Sequence, residues 1–188
     1  MEYLVGLART HPHKVVARLS KGSTVQKGSS AIYEIDNPDI DRQLGTFPEG
    51  TVPYGPIHRA LKPSVNKTMS LFEGRPIVPF SAAFNAGTGE CLEKAVLVQL
   101  SAQRGRNSFL INGALAQDGE MGVDWHAYNV IFRDGKPFLV DVQNPLAKDA
   151  SGKITHPYIA PVLAIEDGDY GDFRVPEEWR QGRVYSLS

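Results

Sequence analysis

The clearest periodic signal in the chain is the run Cys91-Leu92-Glu93-Lys94-Ala95-Val96-Leu97-Val98-Gln99-Leu100. It is built mostly of good helix formers. Its apolar positions cover more than one face, which predicts a largely buried helix. Thr88 is placed to cap it by accepting from a free backbone N–H, and Gly105 marks its end. The stretch Phe84-Asn85-Ala86-Gly87-Thr88-Gly89-Glu90 ahead of it reads as a loop. The second signal is a hairpin. Residues 125–132 and 137–142 are β-rich, and Arg133-Asp134-Gly135-Lys136 joins them; Asp-Gly between such runs is a strong hairpin signature. With Asp134-Gly135 as the two-residue turn, Arg133 faces Lys136, Tyr128 faces Asp141 and His126 faces Gln143. Asn144-Pro145 ends the second strand.

Elsewhere the pattern is shorter. Residues 14–19 and 31–35 are β-like, with turn-rich Lys21-Gly22-Ser23 and Asp36-Asn37-Pro38-Asp39 around them. Tyr54-Gly55-Pro56 reads as loop, and Ser64 can cap a short helix through Phe72. Residues 109–111 and 161–165 suggest further strands, 117–120 a polar loop, and the tail from Asp167 is polar. The fold class is α+β: a central helix bearing Cys91, packed on an antiparallel sheet bearing His126 and Asp141. The chain of 188 residues is expected to form a single domain, with 84–146 as its core and strand and loop elaborations on either side.

Composition narrows the function classes. The chain is 41% hydrophobic and 22% charged, as in ordinary soluble globular proteins. A formal net charge of −1 gives no electrostatic case for nucleic acid or an anionic membrane as partner. One cysteine permits neither an intramolecular disulfide nor a thiolate zinc cluster. Met1-Glu2-Tyr3-Leu4-Val5-Gly6-Leu7 lacks the basic flank and apolar run of a signal peptide, and no stretch approaches the roughly 20 apolar residues of a membrane span. The expectation is a soluble protein with a reduced thiol, cytoplasmic or delivered as an effector by a signal-less route. No metal or other cofactor is expected. His11 and His13 flank Pro12 and lack a third ligand, His58 and His156 read as surface residues, and Gly87-Thr88-Gly89 lacks the Lys-Ser/Thr of a phosphate loop. Nothing in the pattern specifies an oligomeric state.

The candidate chemistry centres on Cys91. A helix start favours an anion through its free N–H groups and dipole, and Gly87 and Gly89 would let a substrate backbone approach. In the hairpin register, His126 and Asp141 are diagonal neighbours on one face, about 7–8 Å apart, within reach of long or aromatic side chains. A carboxylate there fixes the imidazole tautomer and leaves the other ring nitrogen to take the thiol proton. A one-residue slip would put the two on opposite faces. A tetrahedral intermediate needs preorganised donors; the Cys91 N–H and the Asn85 side-chain amide are candidates. Trp125 and Tyr128 are placed to wall the site.

Taken together, Gly89-Glu90-Cys91-Leu92-Glu93-Lys94-Ala95, Trp125-His126-Ala127-Tyr128-Asn129-Val130 and Phe138-Leu139-Val140-Asp141-Val142-Gln143-Asn144-Pro145 resemble the transglutaminase-like core of the papain-like cysteine enzyme superfamily. That family carries a G-x-C helix start, an H-A-aromatic strand and a D-x-x-N-P strand end, and the intervals between the three are similar here. Tyr128 stands where relatives often have Trp. The resemblance spans about residues 84–146 and implies Cys91 as nucleophile, His126 as general base and acid, and Asp141 as orienter. It implies acyl transfer on a protein or peptide amide, such as a Gln carboxamide, through a thioester. Hydrolysis by a peptidase or glutamine deamidase is favoured and transamidation is the variant; a non-catalytic binding module that keeps the fold is the alternative.

Overall fold

The computed structural model describes residues 14–28, 30–49, 52–116, 123–133, 136–143, 147–148 and 154–155. The sequence-predicted features at 117–120, at Asp134-Gly135, at Asn144-Pro145 and from 161 onward lie outside them.

Three short strands open the described chain: β1 (Lys14–Val16), β2 (Thr24–Gln26) and β3 (Ile32–Glu34). A 3-10 turn at Ile40–Leu44 follows, then α1 (Tyr54–Ala60) and α2 (Val65–Ser70). Ser64 caps α2 as its sequence suggests, accepting the Lys67 N–H at 3.4 Å. Next come β4 (Ile77–Pro79), α3 (Phe80–Ala86) and α4 (Cys91–Ala102). The sheet strands β5 (Ser108–Ala116), β6 (Val123–Arg133) and β7 (Lys136–Val140) complete the main body, with a small ribbon of β8 (Ala147–Lys148) and β9 (Ile154–Thr155).

Two segments expected to be loops are helical. Tyr54-Gly55-Pro56 begins α1, because a proline in the first turn of a helix lacks only an N–H that has no intrahelical partner anyway. Phe84, Asn85 and Ala86 form the end of α3, which stops at Gly87 in the left-handed conformation, φ 62°.

The architecture is α+β. One sheet runs β1-β5-β6-β7, antiparallel throughout, and a second runs β2-β3-β4 with β3 and β4 parallel. The hairpin register is the one read from the turn: Arg133 pairs with Lys136, and pairing continues to Asn129 opposite Val140. Helix α4 is buried from Leu92 to Ala102, so even its polar side chains need internal partners. Gln99 Nε2 donates to the carbonyls of Ala17 and Ser108 at 2.8 and 3.0 Å. Asn129 Nδ2, on β6, donates to the Ala95 carbonyl at 3.0 Å. Gln103 exchanges two bonds with the Leu19 backbone. These contacts fix α4 against the main sheet and the N-terminal segment. On the other side, Leu92, Val96, Leu97 and Leu100 share a core with Ile40, Ile57 and Leu61. Tyr33 packs edge-on to Phe72 and Phe80 beneath the second sheet. Among the described residues, no helix is long and apolar enough to cross a membrane.

Candidate active site

The start of α4 is set by a capping box rather than by Thr88. Glu90 is the cap, and the Glu93 carboxylate accepts the Glu90 N–H at 2.8 Å. Thr88 instead shares a buried hydroxyl bond with Thr68 at 2.9 Å. The box occupies the N–H groups of Glu90 and Glu93. Cys91 and Leu92 are the first two residues of the helix, whose N–H groups have no intrahelical acceptor. Two donors and the positive end of the helix dipole therefore lie beside the half-buried Cys91 thiol.

His126 stands on β6, opposite Gly113, and Asp141 immediately follows β7. Both are buried, with side chains 3% and 2% exposed. His126 Nε2 and Asp141 Oδ2 are 2.6 Å apart. The other carboxylate oxygen, Oδ1, accepts the Gln143 N–H at 3.0 Å, so both oxygens are committed. Cys91 acts on the same imidazole and, like Asp141, favours its charged form. Burial opposes the imidazolium, but the Asp141 bond and the influence of Asp141 and Cys91 outweigh it and hold His126 up to about 9. The structure thus brings His126 and Asp141 into direct contact, with Cys91 at the start of the helix that packs on the same sheet.

The flanking residues fall as follows. Tyr128 is buried and its ring stacks on His126, centroids 6.2 Å apart; burial and the nearby Asp141 push its phenol well above the usual range. Trp125 lies on β6 opposite Ala114, with its side chain outside the described ones. Asn85 is exposed on the last turn of α3 and, among the described residues, makes no hydrogen bond to Cys91, His126 or Asp141. Gly89 is buried, and a Cβ there would lie 2.7 Å from Glu93 Cβ and 3.1 Å from Leu61 Cδ1. Its reason is therefore visible in packing, just as Gly87 is explained by its left-handed turn. Gly89→Ala should cost about 1–3 kcal/mol by overpacking the start of α4, seen as a lower urea midpoint at unchanged slope.

Three residues join the site that the sequence pattern does not single out. Tyr54, at the start of α1, donates its hydroxyl to the Asp141 carbonyl at 3.5 Å. Lys94, one turn after Cys91 and 1% exposed, donates to Gln143 Oε1 at 2.6 Å. The sequence signal for Lys94 is a cation on a helix whose apolar positions predict burial on more than one face; Gln143 lies within the strand-end motif. Among the described residues, no cluster of three or more His, Cys, Asp and Glu is placed to hold a metal. A cavity of about 400 Å³ opens at the far end of α4, between Phe47, Ser101 and Arg104. Arg104 there is ion-paired with Asp41, which also accepts from Ser101, and none of Cys91, His126 and Asp141 lines it. Compared with family models and with curated proteins, the chain gives no match.

Proposed function

We propose that this chain is a cysteine-dependent acyl-transfer enzyme with a papain-like, transglutaminase-like core, acting on a protein or peptide amide. The observation that carries the reading is the buried His126–Asp141 bond of 2.6 Å, on an imidazole whose charged form Cys91 also favours. Each side chain has a role. Asp141 fixes the tautomer and supports the imidazolium. His126 moves the proton, and the Cys91 thiolate attacks the carbonyl carbon. The oxyanion that forms meets the N–H groups at the start of α4. His126 then protonates the departing amine or ammonia, leaving a thioester on Cys91. Water, deprotonated by His126, completes hydrolysis and releases the acid. No second amine site is evident in the sequence, so hydrolysis, as peptidase or glutamine deamidase, is preferred over transamidation.

Two measurements test this. Incubation with candidate proteins followed by mass spectrometry should reveal cleavage or a gain of about 1 Da at Gln, the mass of an amide-to-acid change. Iodoacetamide should label Cys91 at pH 6 in a His126-dependent way. Equal labelling of wild type and a folded His126→Ala variant would leave a binding module as the better description.

The raised His126 value sets the pH dependence. The leaving amine needs the imidazolium, so the acylation rate should fall along an alkaline limb near pH 9, the value to which His126 is held. Stability follows the same group. Its folded value lies above the ordinary 6.5, so its contribution is complete below pH 6.5 and disappears as pH rises through about 9. Thermal melts of wild type and His126→Ala between pH 6 and 10 should converge on the alkaline side.

A further inference from the structure

We infer that Lys94 is a positioning residue that ties the Asp141-bearing segment back onto the nucleophile's own helix through Gln143. This deepens the acyl-transfer reading and rests on it. The β6–β7 ladder ends at Asn129 opposite Val140, so the catalytic carboxylate lies one residue past the last cross-strand pair. The segment that follows must be held by other means. Val142 anchors it in the core, and Tyr54 reaches the Asp141 carbonyl from α1. Neither contact constrains the carboxylate directly.

The Lys94–Gln143 bond does more, because Gln143 holds the carboxylate itself. Its backbone N–H donates to Asp141 Oδ1 at 3.0 Å, and its side-chain oxygen receives the Lys94 ammonium at 2.6 Å. The contacts form a chain of His126, Asp141, Gln143 and Lys94, which lies one helical turn from Cys91. A displacement of α4 relative to the 141–143 segment would strain every member. Lys94 is 1% exposed, an expensive location for a cation unless its partners are fixed. Burial lowers the Lys94 value, while Asp141, Cys91 and Glu90 favour its charge and Lys62 opposes it. The cation thus lies in the field of both ends of the proposed triad.

The test uses the full chain and iodoacetamide labelling of Cys91 at pH 6. Lys94→Met removes the tie and the buried charge together. Gln143→Leu removes the acceptor alone, and Gln143→Glu restores one. The first two should slow labelling by about 10- to 100-fold, the range that displacement of a catalytic group by an ångström produces. The double variant Lys94→Met/Gln143→Leu should be no slower than either single one, since both break the same link. Gln143→Glu should label at close to the wild-type rate. The spectroscopic signature is the far-downfield proton NMR signal of the imidazole N–H bonded to Asp141, which should broaden or vanish in the first two variants and persist in the third. Should Gln143→Leu fail to fold around its unpaired ammonium, Lys94→Met, which leaves no unpaired ammonium, carries the test. Wild-type labelling and an unchanged N–H signal in folded Lys94→Met would overturn the tie while leaving the triad standing. Wild-type labelling that ignores His126→Ala would remove the triad, and the tie with it.

Discussion

Asp141→Asn should lower turnover by on the order of 10³–10⁴-fold while the protein stays folded. The substitution is nearly isosteric, so the buried site keeps its volume, and the amide can still accept the Gln143 N–H that now reaches Oδ1 at 3.0 Å. Two other properties are lost. A carboxylate offers only acceptors to His126, which forces the Nε2 position to carry the proton. An amide can turn its NH₂ group toward the ring, pin the opposite tautomer and put a proton on Nδ1 of a neutral imidazole, where the thiol proton must go. The negative charge also disappears. Burial acts to lower His126, and the Asp141 bond is the first of the contacts that reverse it. The imidazolium would then be lost at neutral pH. Initial rates by mass spectrometry, beside thermal melts, separate the chemical defect from any structural one. A folded Asp141→Asn variant with near-normal turnover would take Asp141 out of the mechanism. On the proposed mechanism, its labelling at pH 6 should fall together with turnover, since both use His126 to take the thiol proton.

The pairing of His126 with Asp141 is legible in the sequence because a two-residue turn fixes a register. Once Asp134-Gly135 is the turn, every opposing pair follows, and the observed ladder from Arg133–Lys136 to Asn129–Val140 obeys it. The helix at Cys91 is equally plain, since a long run of helix formers has few alternatives. Its cap is not. Glutamate is a weaker cap than threonine by general preference, and only the reciprocal bond between Glu90 and Glu93 makes it the better choice here. Short helices resemble loops for a related reason. Gly55 and Pro56 are turn residues in most contexts, yet both fit a first turn, and α3 is a single run of seven residues whose signals are the Pro79 before it and the Gly87 after it. A role for Asn85 at the oxyanion depends on that stretch being a loop: in a helix its side chain is carried to an exposed position. The Lys94–Gln143 bond has no sequence signature at all, since it joins residues 49 apart that only the packing of α4 against the end of β7 brings together.

The largest effect on stability should come from Lys27, far in sequence from Cys91, His126 and Asp141. Its ammonium lies 2.9 Å from Glu93 Oε2 and 3.7 Å from Glu90 Oε2. Glu93 is fully buried, and its Oε1 has no hydrogen-bond partner among the described residues. The Tyr33 hydroxyl is buried in the same region; burial and the Glu93 charge push that phenol far above its usual range. The charge of this carboxylate is compensated by Lys27, by the Glu90 N–H at 2.8 Å and by the helix dipole. Lys27→Met keeps the length of the stem and removes the cation, leaving a buried carboxylate without its ion-pair partner. Breaking a buried pair from one side costs about 3–5 kcal/mol, which for a chain of this size lowers the melting temperature by roughly 6–20 °C. Adding Glu93→Gln should recover most of that loss, since a neutral amide can still accept the Glu90 N–H and needs no cation. The coupling measured by the four proteins of that cycle is the decisive number. If Lys27→Met melts within a degree of wild type, the start of α4 stabilises Glu93 through its own N–H groups and dipole, and the ion pair across to the β2–β3 turn contributes nothing to the fold.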